Sequence, residues 1–127
     1  MGVKPTGGVV MVVDDDEDWR ELVVQFLADA GFDAVGARNG REALERIRCG
    51  ELAPDLILLD LEMPVMTGWE FRREQLRDPE LAGVPVLVTS SADPGALAVD
   101  GYLPKPYRAA DLLRAVSALR ASSAVAA

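Results

Sequence analysis

Two uninterrupted apolar runs, Val9–Val13 and Leu56–Leu59, each stop at an aspartate, Asp14 and Asp60. A short apolar run without alternation is the pattern of a strand buried on both faces, and such strands belong to parallel sheets with helices above and below. The segments between the runs supply those helices. Residues 18–30 place Leu22, Val23, Phe26, Leu27 and Ala30 at helical spacing, and Gly31 suits the left-handed position past a helix end. Residues 32–37 form a short apolar stretch, and Asn39 with Glu42 three residues on carries a capping-box signature for a helix ending near Gly50. Beyond Asp60, Met63-Pro64 breaks the strand, and a helix over 67–76 carries Trp69 and Phe71. Residues 84–88 make another strand ending at Thr89-Ser90. Residues 102–103 make a short last strand, and 107–121 are amphipathic through Leu112, Leu113, Val116 and Leu119.

Five repeats of strand and helix predict an α/β fold: a parallel sheet covered on both faces, with ligands beyond the carboxyl ends of its strands. One segment breaks the rhythm. Only 15 positions (105 − 90) separate Ser90 from Lys105, and residues 92–100 contain Pro94-Gly95. That is too little chain for a stable helix and two loops, so the fourth helix is expected to be shortened to one turn or missing.

At 127 residues the chain fits a single domain, 1–127, with its core at about 8–121 and ends expected to fray. It shows no internal repeat, and neither end offers an output domain, so a stand-alone module is expected. Lys and Arg number 13 against 21 Asp and Glu, a net charge of −8, with no basic stripe, which argues against direct contact with nucleic acid. The chain has no His, which removes the commonest zinc ligand and general base. Cys49 stands alone, so no intrachain disulfide forms. The early run Val9–Val13 is too short for a signal peptide or a membrane span, and a cytoplasmic protein without a membrane partner is expected. Trp69, Phe71, Phe26 and Cys49 read as core or near-core packing.

Three strand ends deliver acids or hydroxyls to one edge: Asp14 and Asp15, then Asp60, then Thr89 and Ser90, with Lys105 following the last strand. Converging carboxylates repel and call for a hard cation, and an open oxygen-ligand site suits Mg²⁺, with Asp15 and Asp60 as direct ligands. A carboxylate beside that cation can attack phosphorus if Mg²⁺, the Lys105 ammonium and the Ser90 hydroxyl neutralise the transferred oxygens. Each residue also has a plainer reading. The acids at 14–18 serve equally as solvated charge and a helix N-cap, and Asp15-Asp16 is the functional pair if the register slips by one. Asp60 and Lys105 taken singly are a turn residue and a surface charge. Ser90 taken singly is a turn residue and Tyr102 edge-strand packing.

In this order, VVMVVDDDED, DLILLDLEMP with TGWEF, VPVLVTSSAD and GYLPKPY resemble the successive motifs of bacterial response-regulator receiver domains over nearly the whole chain. The resemblance implies a doubly wound, flavodoxin-like five-stranded sheet of order 2-1-3-4-5, the topology shared by flavodoxin and the chemotaxis receiver protein. It also implies a phosphoacceptor at Asp60, an acidic pair at Asp14 and Asp15 with Asp14 holding Mg²⁺ through water, and a metal-binding main-chain carbonyl at Glu62. The family's hydroxyl falls on Ser90 rather than Thr89, with small Ser91 leaving room, its lysine on Lys105, and its switch aromatic on Tyr102. A cis bond is implied between Lys105 and Pro106. The implied donor is a phosphohistidine on a histidine kinase or phosphotransfer protein. The implied product is a two-component signalling switch, not an enzyme, whose downstream target is unknown and which is a monomer or a phosphorylation-dependent dimer. The Glu62 side chain is expected to face the mouth of the site and tune the lifetime of the phosphoryl group.

Three other functions compete. A receiver-like docking module independent of phosphorylation suits the short fourth-helix segment, though Asp14, Asp15, Asp60, Ser90 and Lys105 are all in place. An aspartate-nucleophile phosphatase is suggested by Asp60-Leu61-Glu62, although such enzymes are larger chains with the nucleophile on the first strand. Flavin binding lacks a phosphate loop, since the acids at 14–18 would repel FMN.

Overall fold

The computed structural model describes the backbone of residues 8–126 and the side chains of residues 8–121. The expectation that residues 1–7 fray lies outside the described residues. Nine elements follow in order: β1 (Val9–Val13), α1 (Glu17–Asp29), β2 (Asp33–Ala37), α2 (Gly40–Arg48), β3 (Leu56–Leu59), α3 (Gly68–Arg77), β4 (Val86–Ser90), β5 (Gly101–Pro104) and α4 (Ala109–Ala126). The strands form one parallel sheet of order β2-β1-β3-β4-β5. The α/β, doubly wound fold implied by the sequence is therefore the fold of the chain.

Alternation along each strand splits the core in two. Met11 and Val13 point into one half with Ile57, Leu59 and Val88, closed by Ala43 and Leu44 of α2 and Phe71 of α3. Val10 and Val12 point into the other with Leu56, Leu58 and Leu87, closed by Val23 and Leu27 of α1 and Leu112 and Val116 of α4. Both faces of the central strands are dry, which is why their sequences are apolar throughout rather than alternating.

Local signals set the helix ends. Asp16 caps α1 by accepting the Trp19 N–H at 3.1 Å, so the helix begins one residue before the expected start, and Gly31 adopts φ 99° beyond its end. Asn39 caps α2, accepting from the Glu42 N–H at 2.9 Å. The Glu42 carboxylate, however, bonds the Arg38 guanidinium at 2.8 Å instead of the cap's own N–H. The full reciprocal box forms at α3, where Thr67 and Glu70 each accept the other's backbone N–H. Between β3 and α3 the Met66 N–H reaches the Pro64 carbonyl at 2.7 Å around Val65 at φ 70°, a tight turn that strains a β-branched residue.

Three expectations need correction. Leu22 is 60% exposed, because α1 turns it away from the sheet while Val23 and Leu27 take the core. Cys49 is exposed at the end of α2, outside both halves of the core, and its thiol donates to the Arg46 carbonyl. The fourth strand starts at Val86 rather than at residue 84.

No helix separates β4 from β5. Residues 91–100 close a single turn, Leu97 N–H to Pro94 carbonyl at 3.2 Å, in line with the shortfall of chain. The segment is held from beneath by a buried arginine. Arg72 on α3 donates to the Ala98 carbonyl at 2.9 Å and to Gln75 Oε1 at 2.8 Å, and its guanidinium lies 3.6 Å from Asp100. Gln75 in turn donates to the Leu81 and Val84 carbonyls, and Asp100 accepts the Val86 N–H at 2.7 Å. Arg72→Met strands the Gln75 and Ala98 oxygens, and is expected to cost about 2–3 kcal/mol in denaturant unfolding. Amide exchange should quicken at 97–100, and wild-type stability in this variant would show that the staple contributes nothing.

Candidate phosphoacceptor and metal site

Register brings the acids together. Val13 pairs with Leu59, so Asp14 and Asp60 leave the sheet side by side, and the Asp60 N–H donates to the Val13 carbonyl at 3.0 Å. Leu59 pairs with Val88, which carries the end of β4 alongside, and Ser90 pairs with Pro104 so that Lys105 follows directly, its N–H on the Ser90 carbonyl at 3.1 Å. The peptide bond from Lys105 to Pro106 is cis, as the resemblance implied. Four loops thus reach one point at the carboxyl edge of the sheet.

Carboxylate oxygens of Asp14, Asp15 and Asp60 lie within 4.8 Å of one another. Asp14 and Asp60 are buried, at 3% and 8% exposure, while Asp15 faces solvent. Lys105 Nζ sits 2.8 Å from Asp14 and 3.5 Å from Asp60. Each carboxylate oxygen of Asp14 accepts a hydrogen bond, one from Lys105 and the other from the Asp16 N–H at 2.9 Å. Asp16 itself is occupied as the cap of α1 and stands outside the triad.

Burial raises the Asp60 carboxyl above the ordinary aspartate range and the Asp14 charge pushes the same way, against the Lys105 charge, the Ser90 hydroxyl and the Glu62 N–H. Burial alone would depress Lys105, but its hydrogen bond to Asp14 and the charges of Asp14 and Asp60 outweigh this and hold the ammonium above its usual value. The cation is therefore fully charged at neutral pH. Ser90 is wholly buried, its hydroxyl accepting the Ala92 N–H at 3.1 Å. Glu62 lies on the surface with its N–H 3.4 Å from Asp60 Oδ1. Tyr102 is partly exposed on β5, and its hydroxyl donates to the carbonyls of Ser90 and Ala92, each at 3.3 Å. Ser91 lines a cleft of about 340 Å³ with Asp16, Trp19, Lys105 and Pro106.

The response regulator receiver domain model matches residues 10–117. The chain belongs to that family. This receiver domain is 31% identical to the chemotaxis response regulator CheY4 of Vibrio cholerae, whose structure it matches with a TM-score of 0.80 over 88% of this chain and 98% of that one. It is 29% identical to the response regulator TrrA of Thermotoga maritima, solved in complex with Mg²⁺-BeF, with a TM-score of 0.77 over the same shares. Among curated proteins it is 45% identical over 84 residues to a protein-glutamate methylesterase/protein-glutamine glutaminase of Geobacillus kaustophilus, covering 65% of this chain and 23% of that protein. The receiver domain thus spans about a quarter of that relative's length. No helix among the described residues is long and apolar enough to cross a membrane.

Sequence reasoning missed three residues that shape the site. Gly68 opens α3 where any side chain would strike the Asp60 carbonyl, and a glycine inside the first turn, where it is a poor helix former, was the available signal. Arg20 donates to the Asp14 carbonyl at 2.8 Å. Tyr107 packs edge-on to Trp19 at 5.5 Å, and burial, with the Asp14 and Asp60 charges added, pushes its phenol up to about 12. For the last two the sequence held no signal, since their contacts depend on how α1 and the loop after β5 meet.

Proposed function

We propose that this receiver domain is a two-component signalling switch that takes a phosphoryl group onto Asp60 from a phosphohistidine in a Mg²⁺-dependent reaction. The observation that carries the reading is the convergence of Asp14, Asp15 and Asp60 with Lys105 between two of them. The donor set fits a hard cation: all-oxygen, open on the Asp15 side and electrostatically strained without one. Asp15 and Asp60 would hold the ion directly, Asp14 through water as the family resemblance implies, and the Glu62 carbonyl would complete the protein ligands. When bound, Mg²⁺ supplies charge neutralisation for the transferred group's oxygens. That TrrA was solved in complex with Mg²⁺-BeF supports a Mg²⁺ site here by similarity.

An Asp60 carboxylate oxygen forms the new bond to phosphorus as the P–N bond breaks, and the donor imidazole departs with the bonding pair. Lys105 and the Ser90 hydroxyl stabilise the transferred oxygens, and small Ser91 leaves them room. Water later cleaves the acyl phosphate, with the Glu62 side chain tuning its lifetime. Receiver domains accept phosphoryl groups from histidine kinases, so the partner is a kinase or phosphotransfer protein and the receiver is a signal acceptor rather than a turnover enzyme.

Ser90 and Tyr102 carry the switch. A Ser90 hydroxyl drawn toward phosphoryl oxygens gives up the Ala92 N–H and shifts the carbonyls that now hold the Tyr102 hydroxyl, so the ring is free to turn. Ser90→Ala is expected to leave Asp60 able to take the group while Tyr102 stays put. A tyrosine that moves as in wild type, followed by ring NMR signals with beryllofluoride, sinks the coupling.

The primary test is intact mass after incubation with Mg²⁺ and a small phosphodonor. Wild type should gain one phosphoryl group, EDTA should prevent it, and Asp60→Asn should gain none. Equal modification of Asp60→Asn removes Asp60 from the role, and failure of wild type with kinases as well as small donors points to the docking module.

A further inference from the structure

Arg20 leaves the second turn of α1 and reaches back over the edge strand to the loop that bears Asp14 and Asp15. Its Nη1 donates to the Asp14 carbonyl at 2.8 Å, while the Asp14 N–H donates to the Ala37 carbonyl at 3.1 Å. The acidic loop is thus tied through both backbone polar groups of one residue, Asp14. The arginine stem lies directly on Gly36 of β2. A Cβ at that position would stand 3.0 Å from Cδ, 3.1 Å from Cγ and 3.2 Å from Nε of Arg20. Gly36 sits in regular strand pairing with Val12, so its backbone does not require glycine, and the missing side chain serves to let the arginine pass.

We infer that Arg20, seated on Gly36, is a positioning residue for the divalent-cation site, holding the Asp14-Asp15 loop so that both carboxylates face Asp60. The inference rests on the reading of these acids as a Mg²⁺ site. Asp15 has no hydrogen bond of its own among the described residues, so its place is set by the backbone of its neighbour. A loop left to order itself on binding pays conformational entropy, and a clamp removes that cost in advance.

A bare positive charge at Arg20 would have the opposite effect, repelling Mg²⁺, so the sign of the change separates the two roles. Mg²⁺ alone would be titrated into the full chain, followed by tryptophan fluorescence, since Trp19 borders the site, and by the Mg²⁺-induced rise in melting temperature. Arg20→Met and Gly36→Val are each expected to weaken Mg²⁺ about tenfold, the scale of groups that orient metal ligands. Gly36→Val does so with the guanidinium charge retained. Arg20→Lys, which keeps the charge on a shorter stem, should also weaken binding and serves if Arg20→Met fails to fold. Tighter binding by Arg20→Met with Gly36→Val unchanged makes the arginine a mere charge and overturns the clamp, as do unchanged affinities in both. A wild-type chain with no Mg²⁺ response removes the metal reading itself, and the clamp with it.

Discussion

Gly68→Ala is expected to cost about 3 kcal/mol, the upper end for forcing extra volume into a packed interior, and to slow phosphoryl transfer on the order of a hundredfold. The glycine is the first residue of α3, and its N–H donates to the Leu61 carbonyl at 2.9 Å. An added Cβ would lie 2.4 Å from the Asp60 carbonyl oxygen and 2.7 Å from the Leu61 Cα. Both are backbone atoms, so no rotamer can yield. Either α3 moves out, losing the contacts of Phe71, or the Asp60-Leu61 peptide rotates and takes the phosphoacceptor with it. A displacement of about 1 Å at a reacting group costs on the order of a hundredfold in rate. Urea unfolding measures the first loss and intact mass after phosphodonor treatment the second. Native stability with undiminished transfer would mean that the helix start and the acceptor are not mechanically joined.

Lys105→Met should destabilise the metal-free protein by about 2–3 kcal/mol at pH 7, less than a fully buried broken ion pair because the lysine is 22% exposed. Removing the ammonium leaves Asp14 and Asp60 buried, adjacent and like-charged. The pH dependence follows from the direction of the shifts. Asp60 is raised by burial already in wild type, so the folded state binds more protons than the unfolded one above pH 3.8, and stability falls as pH rises through the folded value. Without Lys105 to oppose it, that folded value climbs further and the loss extends toward neutrality. Acidification through this window should restore most of the deficit, and so should saturating Mg²⁺, which replaces the missing cation. In wild type, Lys105 is raised above 10.5, so its contribution is complete below that pH and fades only as pH rises through the folded value. Thermal unfolding across pH, with and without Mg²⁺, tests both. A Lys105→Met protein as stable as wild type at every pH would show that the acids are not electrostatically coupled.

These two sites differ in how they could be found. Asp14, Asp15, Asp60 and Lys105 were legible because each sits within two residues of the end of an apolar run or beside a proline, and a parallel sheet carries all its strand ends to one edge, whereas Ser90 was chosen over Thr89 only through resemblance. The missing helix was legible too, as a shortage of chain between Ser90 and Lys105. Strand order came only through resemblance, since apolar runs of similar composition do not say which neighbour each will choose.

What the sequence determined by itself was therefore the kind of structure and the chemistry at its edge: apolar runs that must be buried on both faces, a cap such as Asn39, and acids placed where runs end. Tertiary structure alone decided which Leu faced water and which faced the sheet, that Cys49 stayed outside, and that Arg72 was drawn beneath the helix-free segment. It also made Gly36 and Gly68 matter, one by admitting the Arg20 stem and the other by letting α3 touch the Asp60 peptide. The physical reason is range. Hydrophobic period and capping act over a few residues and are written locally, whereas close approach and buried charge pairing depend on distances between segments that meet only once the sheet has formed.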